Sequence, residues 1–225
     1  EHGRAEVVDV RARDLQGEYR WFDLDAVDLR RTREVRGLLL TAHEVSERHA
    51  LQEELTYRAR QDALTGLPNR TTLAARLEAL VADPGTEPFA VLFVDLDRFK
   101  PVNDLLGHDA GDEVLRTIAG RFLTAVRSEG EGGAGDLVTR LSGDEFAIVL
   151  VNVTEAIARA TADRLIEVAG EPIRVGDHVV HVGATVGISM SHPERENPDA
   201  AVRKADLAMY RAKGAGGGTY AVAHD

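Results

Sequence analysis

The sequence predicts an α+β fold, with helices laid over one mostly antiparallel sheet and a smaller β-rich segment in front. Three observations predict it. The run "FAVLFVDLD" (89–97) is apolar at every position until two acids close it, as a central strand covered on both faces should be. Residues 137–151 read as two apolar strands about a tight turn, with Asp144 and Glu145 side by side in that turn. Helical stretches separate these strands, so the order becomes β-α-β-β-α-β with extra helices. No internal repeat competes with this reading.

Taken in order, "AEVVDVRARD", "EYRWFDLDAVDLR" and "REVRGLLLTAHEV" are three β-rich runs with partial period-2 alternation. Three strands make a thin sheet, so residues 1–45 are predicted to be part of a domain rather than a whole one. Ser46 suits the start of a helix over 46–61, with Leu51 and Leu55 four apart on one stripe. That helix is a connector of about two heptads, equally readable as a solvated linker or a dimerising helix. From Asp62 the pattern changes. "DALTGLPNR" is turn-rich, "TTLAARLEALVA" is helical and "DPGTEP" ends it. After the central strand come a helical region over about 104–126, the Gly-rich "SEGEGGAG", the hairpin, a helix from Thr154 to Ala169, two strands through "HVVHVGATVGISM" and a helix from Pro198 to Lys213.

Composition narrows the partners. Lys plus Arg number 27 against 38 for Asp plus Glu, a formal charge of −11, which argues against nucleic acid or an acidic membrane held by bulk electrostatics. A small anion then needs local cations or a metal. With no cysteine, disulfides and thiolate metal sites are excluded, which fits a cytoplasmic setting. The longest apolar run, Phe89 to Val94, is far short of the roughly 18 residues of a membrane span. The chain starts at Glu1 without a leader pattern, so it reads as a piece of a longer protein whose upstream part could hold an anchor.

Asp95 and Asp97, two apart, share one face of their strand, with Leu96 on the other. If that strand lies beside the hairpin, Asp95 approaches Asp144 and Glu145, and three or four carboxylates gather within a few ångströms. Such a cluster stays ionised only around a divalent ion, and all-oxygen ligands favour Mg²⁺ or Mn²⁺ over zinc. Lys100 is placed to reach phosphate oxygens. Asn103 and Asp112 offer an amide and a carboxylate, a pair able to read guanine through its carbonyl and its N–H groups. Gly107 and Gly111 allow a close turn there, and Lys213 adds a cation at the end of the last helix. His178 and His181 do not make a metal pair on a strand, and His108 suits a loop-holding role. No hydrolytic triad and no Walker-type phosphate loop is present.

With "DALTGLPNR", "DLDRFKPVNDLLGHDAGD", "RLSGDEF" and "ADLAMYRAK" in this order, residues 62–225 resemble the GGDEF family of diguanylate cyclases. The resemblance implies a palm-like βααββαβ core and the joining of two GTP into cyclic di-GMP with release of two pyrophosphates. It implies Asp95, Glu145 and the main-chain carbonyl of Leu96 as Mg²⁺ ligands, and Asp144 in metal binding or catalysis. Asn103 and Asp112 would hold guanine, Lys100 and Lys213 would contact phosphates, and Gly143 would let the phosphates approach the backbone. Each such domain binds one GTP, so turnover implies a homodimer. Residues 1–45 resemble the C-terminal strands of a PAS sensory domain, and 46–61 its signalling helix.

Three positions depart from the family pattern. Ser142 replaces the first Gly of the signature, costing roughly 1 kcal/mol if its φ is positive. Gly217 stands where the family carries an arginine toward the triphosphate, a loss on the order of 1.5 to 3 kcal/mol. The product-inhibition motif RxxD keeps Asp136 but has Gly133 in place of its arginine, with Arg127 beyond the Gly-rich insertion, so feedback by that route is not expected. Two functions compete: a sensor-controlled cyclase, and a GTP-binding regulatory module that adjusts an adjacent EAL phosphodiesterase domain, into which "GGGTYAVAHD" resembles a lead. A plain dimerisation scaffold would leave the carboxylates, Lys100 and Asn103 to chance.

Overall fold

A computed structural model describes residues 4–13, 16–31, 36–83, 88–127, 136–191 and 197–223. Gly133 and the Gly-rich insertion lie outside the described residues. The chain divides into two compact units, residues 1–59 and 60–225.

The first unit holds an antiparallel sheet of β1 (Arg4–Arg13), β2 (Tyr19–Asp28) and β3 (Leu38–Glu44) in that spatial order, followed by α1 (Ser46–Ala59). The register of β1 on β2 shifts between Val7 and Val10, where Asp9 takes a φ of +58°, a bulge. Helix α1 is tied to the sheet at its start, since Trp21 N–H donates to Ser46 Oγ at 3.0 Å and Val45 N–H to the Trp21 carbonyl at 2.8 Å. The Trp21 and His49 rings stack 4.4 Å apart. Leu51 and Leu55 are exposed on α1.

The second unit is a five-stranded sheet in the order β10-β9-β4-β6-β5, with helices on both faces. Its elements are α2 (Arg70–Ala82), β4 (Phe89–Asp97), α3 (Phe99–Leu106), α4 (His108–Arg127), β5 (Leu137–Ser142), β6 (Glu145–Val151), α5 (Glu155–Gly170), a small ribbon of β7 (Ile173–Val175) and β8 (His178–Val180), β9 (Gly183–Ser191), α6 (Pro198–Gly214) and β10 (Tyr220–Val222). Strand β4 is central and antiparallel to both β6 and β9. Its alternate residues explain the continuous apolar run. Ala90, Leu92, Val94 and Leu96 join the core under α3, α4 and α5, while Phe89, Val91 and Phe93 join a second core with Leu73 and Leu77 of α2 and Ala205 and Met209 of α6.

Two details differ from the sequence reading. The single helical region over 104–126 is two helices, α3 beginning at Phe99 and α4 at His108, broken at Gly107 with φ +88°. Pro101 does not delay α3 because the third position of a helix needs no amide donor. Residues Tyr220–Val222 add β10, a strand the sequence reading does not predict, parallel to β9 with Tyr220 opposite Val186. Three residues are too few to show a strand period. Among the described residues no helix is long and apolar enough to cross a membrane.

Candidate functional site

The site lies where β4 ends beside the β5–β6 turn. In an antiparallel pair, residues directly opposite point to the same face with Cβ atoms about 5 Å apart. Asp95 stands opposite Glu145 across β4 and β6, and opposite Thr185 across β4 and β9. The predicted meeting of the two strand-end carboxylates therefore follows from register alone. Leu96 turns to the other face and is buried, and its N–H donates to the Asp144 carbonyl at 3.2 Å, which fastens the turn to β4.

The turn runs over the four residues 142–145, with Gly143 at φ +50° and Ser142 paired to Glu145. Ser142 is not among the residues of positive φ, so serine there carries no left-handed strain. Its hydroxyl donates to Glu145 Oε2 at 2.9 Å. Sequence reading missed the residue that holds this turn. Arg140 donates from Nε and Nη2 to the Gly143 carbonyl at 3.0 and 2.8 Å, and from Nη1 to Asp62 Oδ1 at 2.8 Å. Asp62 also accepts from Thr65 N and Oγ1. The available signal was a basic residue within an apolar strand and an acid opening "DALTGLPNR".

Lys213, at the end of α6, donates from Nζ to Asp95 Oδ1. Burial pushes the Asp95 carboxyl up, the Lys213 ammonium pulls it down, and the charges of Asp144 and Asp97 raise it again; the net shift is upward. The expectation of three or four convergent carboxylates is not met. Among the described residues no three acidic or histidine side chains form a metal-holding group. Like charges separate, and each acid has taken its own donor: Asp95 has Lys213, Glu145 has Ser142, and Asp97 accepts from Thr185 Oγ1 and Gly218 N–H at 2.8 to 3.0 Å. The strand-opposed pair still fits a hard divalent ion. Mg²⁺ is ordinarily held by one or two carboxylates plus substrate phosphates and water, not by an all-protein cage. Burial of Asp95 outweighs what the one lysine returns, so a further cation beside it would favour its ionised form.

Asn103 on α3 and Asp112 on α4 flank the Gly107 break. The Asn103 amide lies directly on Gly111, where an added Cβ would stand 1.9 Å from its Oδ1. Asp112 has Arg116 at 3.8 Å, an exposed i,i+4 pair of little strength. Lys100 is exposed in the first turn of α3. Asp136 accepts from Val151 N–H at 2.9 Å, so it pins the base of the hairpin, and burial raises its pKa. Beyond Glu145, a cavity of about 470 Å³ opens between α2 and α6 over Phe93, Leu73, Leu77 and Val202.

The register thus sets Asp95 opposite Glu145 beside the turn, Lys213 lies on Asp95, and Asn103 lies on Gly111 across the helix break. The family model "Diguanylate cyclase, GGDEF domain" matches residues 59–219, and the chain belongs to that family. It is 42% identical over 170 residues to diguanylate cyclase TpbB of Pseudomonas aeruginosa, covering 72% of this chain and 38% of that protein. It is 37% identical over 173 residues to the response regulator PleD of Caulobacter vibrioides, covering 75% and 36%. The chain thus spans well under half the length of these relatives. Among solved structures, the GGDEF domain of TpbB from Pseudomonas aeruginosa superposes with a TM-score of 0.66 at 41% identity, covering 73% of this chain and 94% of that one. A sensory box/GGDEF family protein from Caulobacter crescentus gives 0.63 at 37%, covering 70% and 99%.

Proposed function

We propose that this chain is a metal-dependent diguanylate cyclase that condenses two GTP into cyclic di-GMP, working as a homodimer. The observation that carries this is the register that sets Asp95 opposite Glu145, with Lys213 on Asp95. Each 3′-hydroxyl oxygen attacks the α-phosphorus of the other GTP. The bond from that phosphorus to the bridging oxygen breaks and pyrophosphate leaves. This happens twice, and each hydroxyl proton passes to solvent.

Asp95, Glu145 and the Leu96 carbonyl are the residues to hold Mg²⁺ or Mn²⁺, with Asp144 assisting. The ion would supply a lowered pKa at the 3′-hydroxyl and charge neutralisation at the pyrophosphate. Asn103 and Asp112 read the guanine edge and thereby fix the nucleotide's long axis. Lys100 and Lys213 meet the phosphates as point charges, and Gly143, lacking a side chain, leaves their approach to the turn open. Arg140 keeps that turn in one shape through the Gly143 carbonyl. We further propose residues 1–45 as the C-terminal part of a PAS-like sensor and 46–61 as its signalling helix.

One observation favours the second reading, a weak GTP-binding module regulating an adjacent EAL domain. At the position of the family's arginine is Gly217, and the loop amides do not replace it: Gly216 N–H donates to Lys213 O, Gly217 N–H to Ala212 O and Gly218 N–H to Asp97. The deciding experiment incubates the chain with GTP and Mg²⁺ and looks for cyclic di-GMP, with Glu145→Ala as control. Product from the unmodified chain and none from Glu145→Ala supports the cyclase. GTP binding without product in a dimeric sample supports the regulator.

A further inference from the structure

We infer that Asp97, the second acid of "DLD", is a positioning residue that clamps the loop after α6, so that Lys213 is delivered to the phosphates; it does not serve the metal. The role of Lys213 rests on the cyclase reading, whereas the clamp itself is geometric.

Asp97 shares a strand face with Asp95, which makes it look like a further metal ligand. Both of its oxygens already carry donors from the fold. Thr185 Oγ1 lies 2.8 Å from Oδ1 and 2.9 Å from Oδ2, its one proton serving both, and Gly218 N–H donates to Oδ2 at 3.0 Å. Gly218 N–H also reaches Thr185 Oγ1 at 3.0 Å, so three strands of backbone meet on one carboxylate. Thr185 is completely buried, which shields its hydroxyl from water, while the bond from Gly218 N–H to Asp97 lies at the exposed rim.

The surrounding glycines fit this carboxylate. A Cβ on Gly217 would stand 3.2 Å from both Asp97 Oδ1 and Thr185 Oγ1, and one on Gly183 3.3 Å from Oδ2. Gly216, Gly217 and Gly218 all have positive φ, a path that β-carbons resist. The loop is thus wound tightly onto Asp97. On its far side the Thr219 carbonyl accepts from Val186 N–H at 3.0 Å and β10 begins. On its near side Lys213 reaches Asp95. The end of β4 therefore holds the segment 213–218 at two points two residues apart, and without the second point the loop between Lys213 and β10 keeps only the packing of α6 and the pairing of β10 to fix it.

The test compares Asp97→Ala, Asp97→Asn and Thr185→Val with the unmodified intact chain. Amide hydrogen exchange at Gly218 and Thr219 reports the clamp without any ligand. It is expected to speed up about tenfold or more in Asp97→Ala and Thr185→Val, and less in Asp97→Asn, which keeps an acceptor oxygen. Mn²⁺ binding, followed by its electron paramagnetic resonance, and binding of the non-hydrolysable analogue guanosine 5′-(β,γ-imido)triphosphate in EDTA separate the two roles. For a clamp, metal-free analogue binding weakens about tenfold while Mn²⁺ binding is unchanged. Loss of Mn²⁺ binding in Asp97→Asn and Asp97→Ala with exchange unaltered overturns the proposal, as does unaltered exchange in Thr185→Val. If the unmodified chain binds no guanine nucleotide, the cyclase reading fails while the exchange result still decides the clamp.

Discussion

Arg140 ties the β5–β6 turn to Asp62, ahead of α2. Its guanidinium is nearly buried and satisfies one backbone carbonyl and one carboxylate, so truncation strands both acceptors. Arg140→Ala is expected to lower unfolding free energy in urea by about 2 to 3 kcal/mol, and Arg140→Lys to recover less than half, because an ammonium cannot fork between Gly143 and Asp62. Asp62 gives this a pH signature. Burial raises its carboxyl, but the bonds from Thr65 and Arg140 outweigh burial and hold it below the ordinary 3.8. A lowered folded pKa stabilises the fold above the unfolded value, and that contribution is lost as pH falls below it. Asp62→Asn should therefore unfold less steeply with acid below about pH 4 than the unmodified protein, as urea midpoints across pH 2.5 to 6 would record. The acids at 95 and 145 were legible because strand ends and turns mark themselves in sequence. Arg140 was not, because a salt bridge between residues 78 apart leaves no local pattern.

At the scale of elements, two glycines with the same clash forecast opposite outcomes. A Cβ on Gly187 of β9 would lie 1.9 Å from Ala205 O and 2.3 Å from Met209 N, both backbone of α6. Helix α6 would have to leave the sheet, taking Ala205 and Met209 out of their core. Gly187→Ala is expected to cost more than about 3 kcal/mol in urea unfolding or to give insoluble protein. A Cβ on Gly111 of α4 would lie just as close, 1.9 Å, to Asn103 Oδ1, but that is a side chain able to rotate away. Gly111→Ala should lower the melting temperature by less than about 4 °C and, under the proposed role of Asn103 in reading guanine, weaken GTP binding about tenfold in calorimetry. Of the break between α3 and α4 that sets up this contact, the sequence showed that Gly107 allows a close turn but not that it divides the helix. The helical pattern runs on through Gly107, and only the positive φ there divides it. Strand β4, by contrast, was plain, because burial on both faces writes itself as uninterrupted apolarity.

At the scale of the molecule, net charge governs encounter. A chain of formal charge −11 repels GTP and repels a second copy of itself. Local cations such as Lys100 and Lys213, with the proposed divalent ion, would answer the first repulsion, since they act within a few ångströms where screening by salt is weak. The second acts over the whole surface, where screening is strong: the Debye length falls from about 30 Å at 0.01 M to about 8 Å at 0.15 M. If product forms only between two GTP-loaded domains, the rate per chain must rise with chain concentration and level off once dimers saturate. At a concentration below that plateau, raising NaCl from about 10 to 150 mM at fixed free Mg²⁺ should raise the rate per chain, whereas at the plateau the same salt should leave it level or lower it by weakening phosphate contacts. Cyclic di-GMP formation measured on this two-by-two grid separates assembly from nucleotide binding. A rate per chain independent of concentration would show that one copy completes the reaction, and a salt response of the same sign at both concentrations would place the charge effect on the nucleotide instead of on the partner chain.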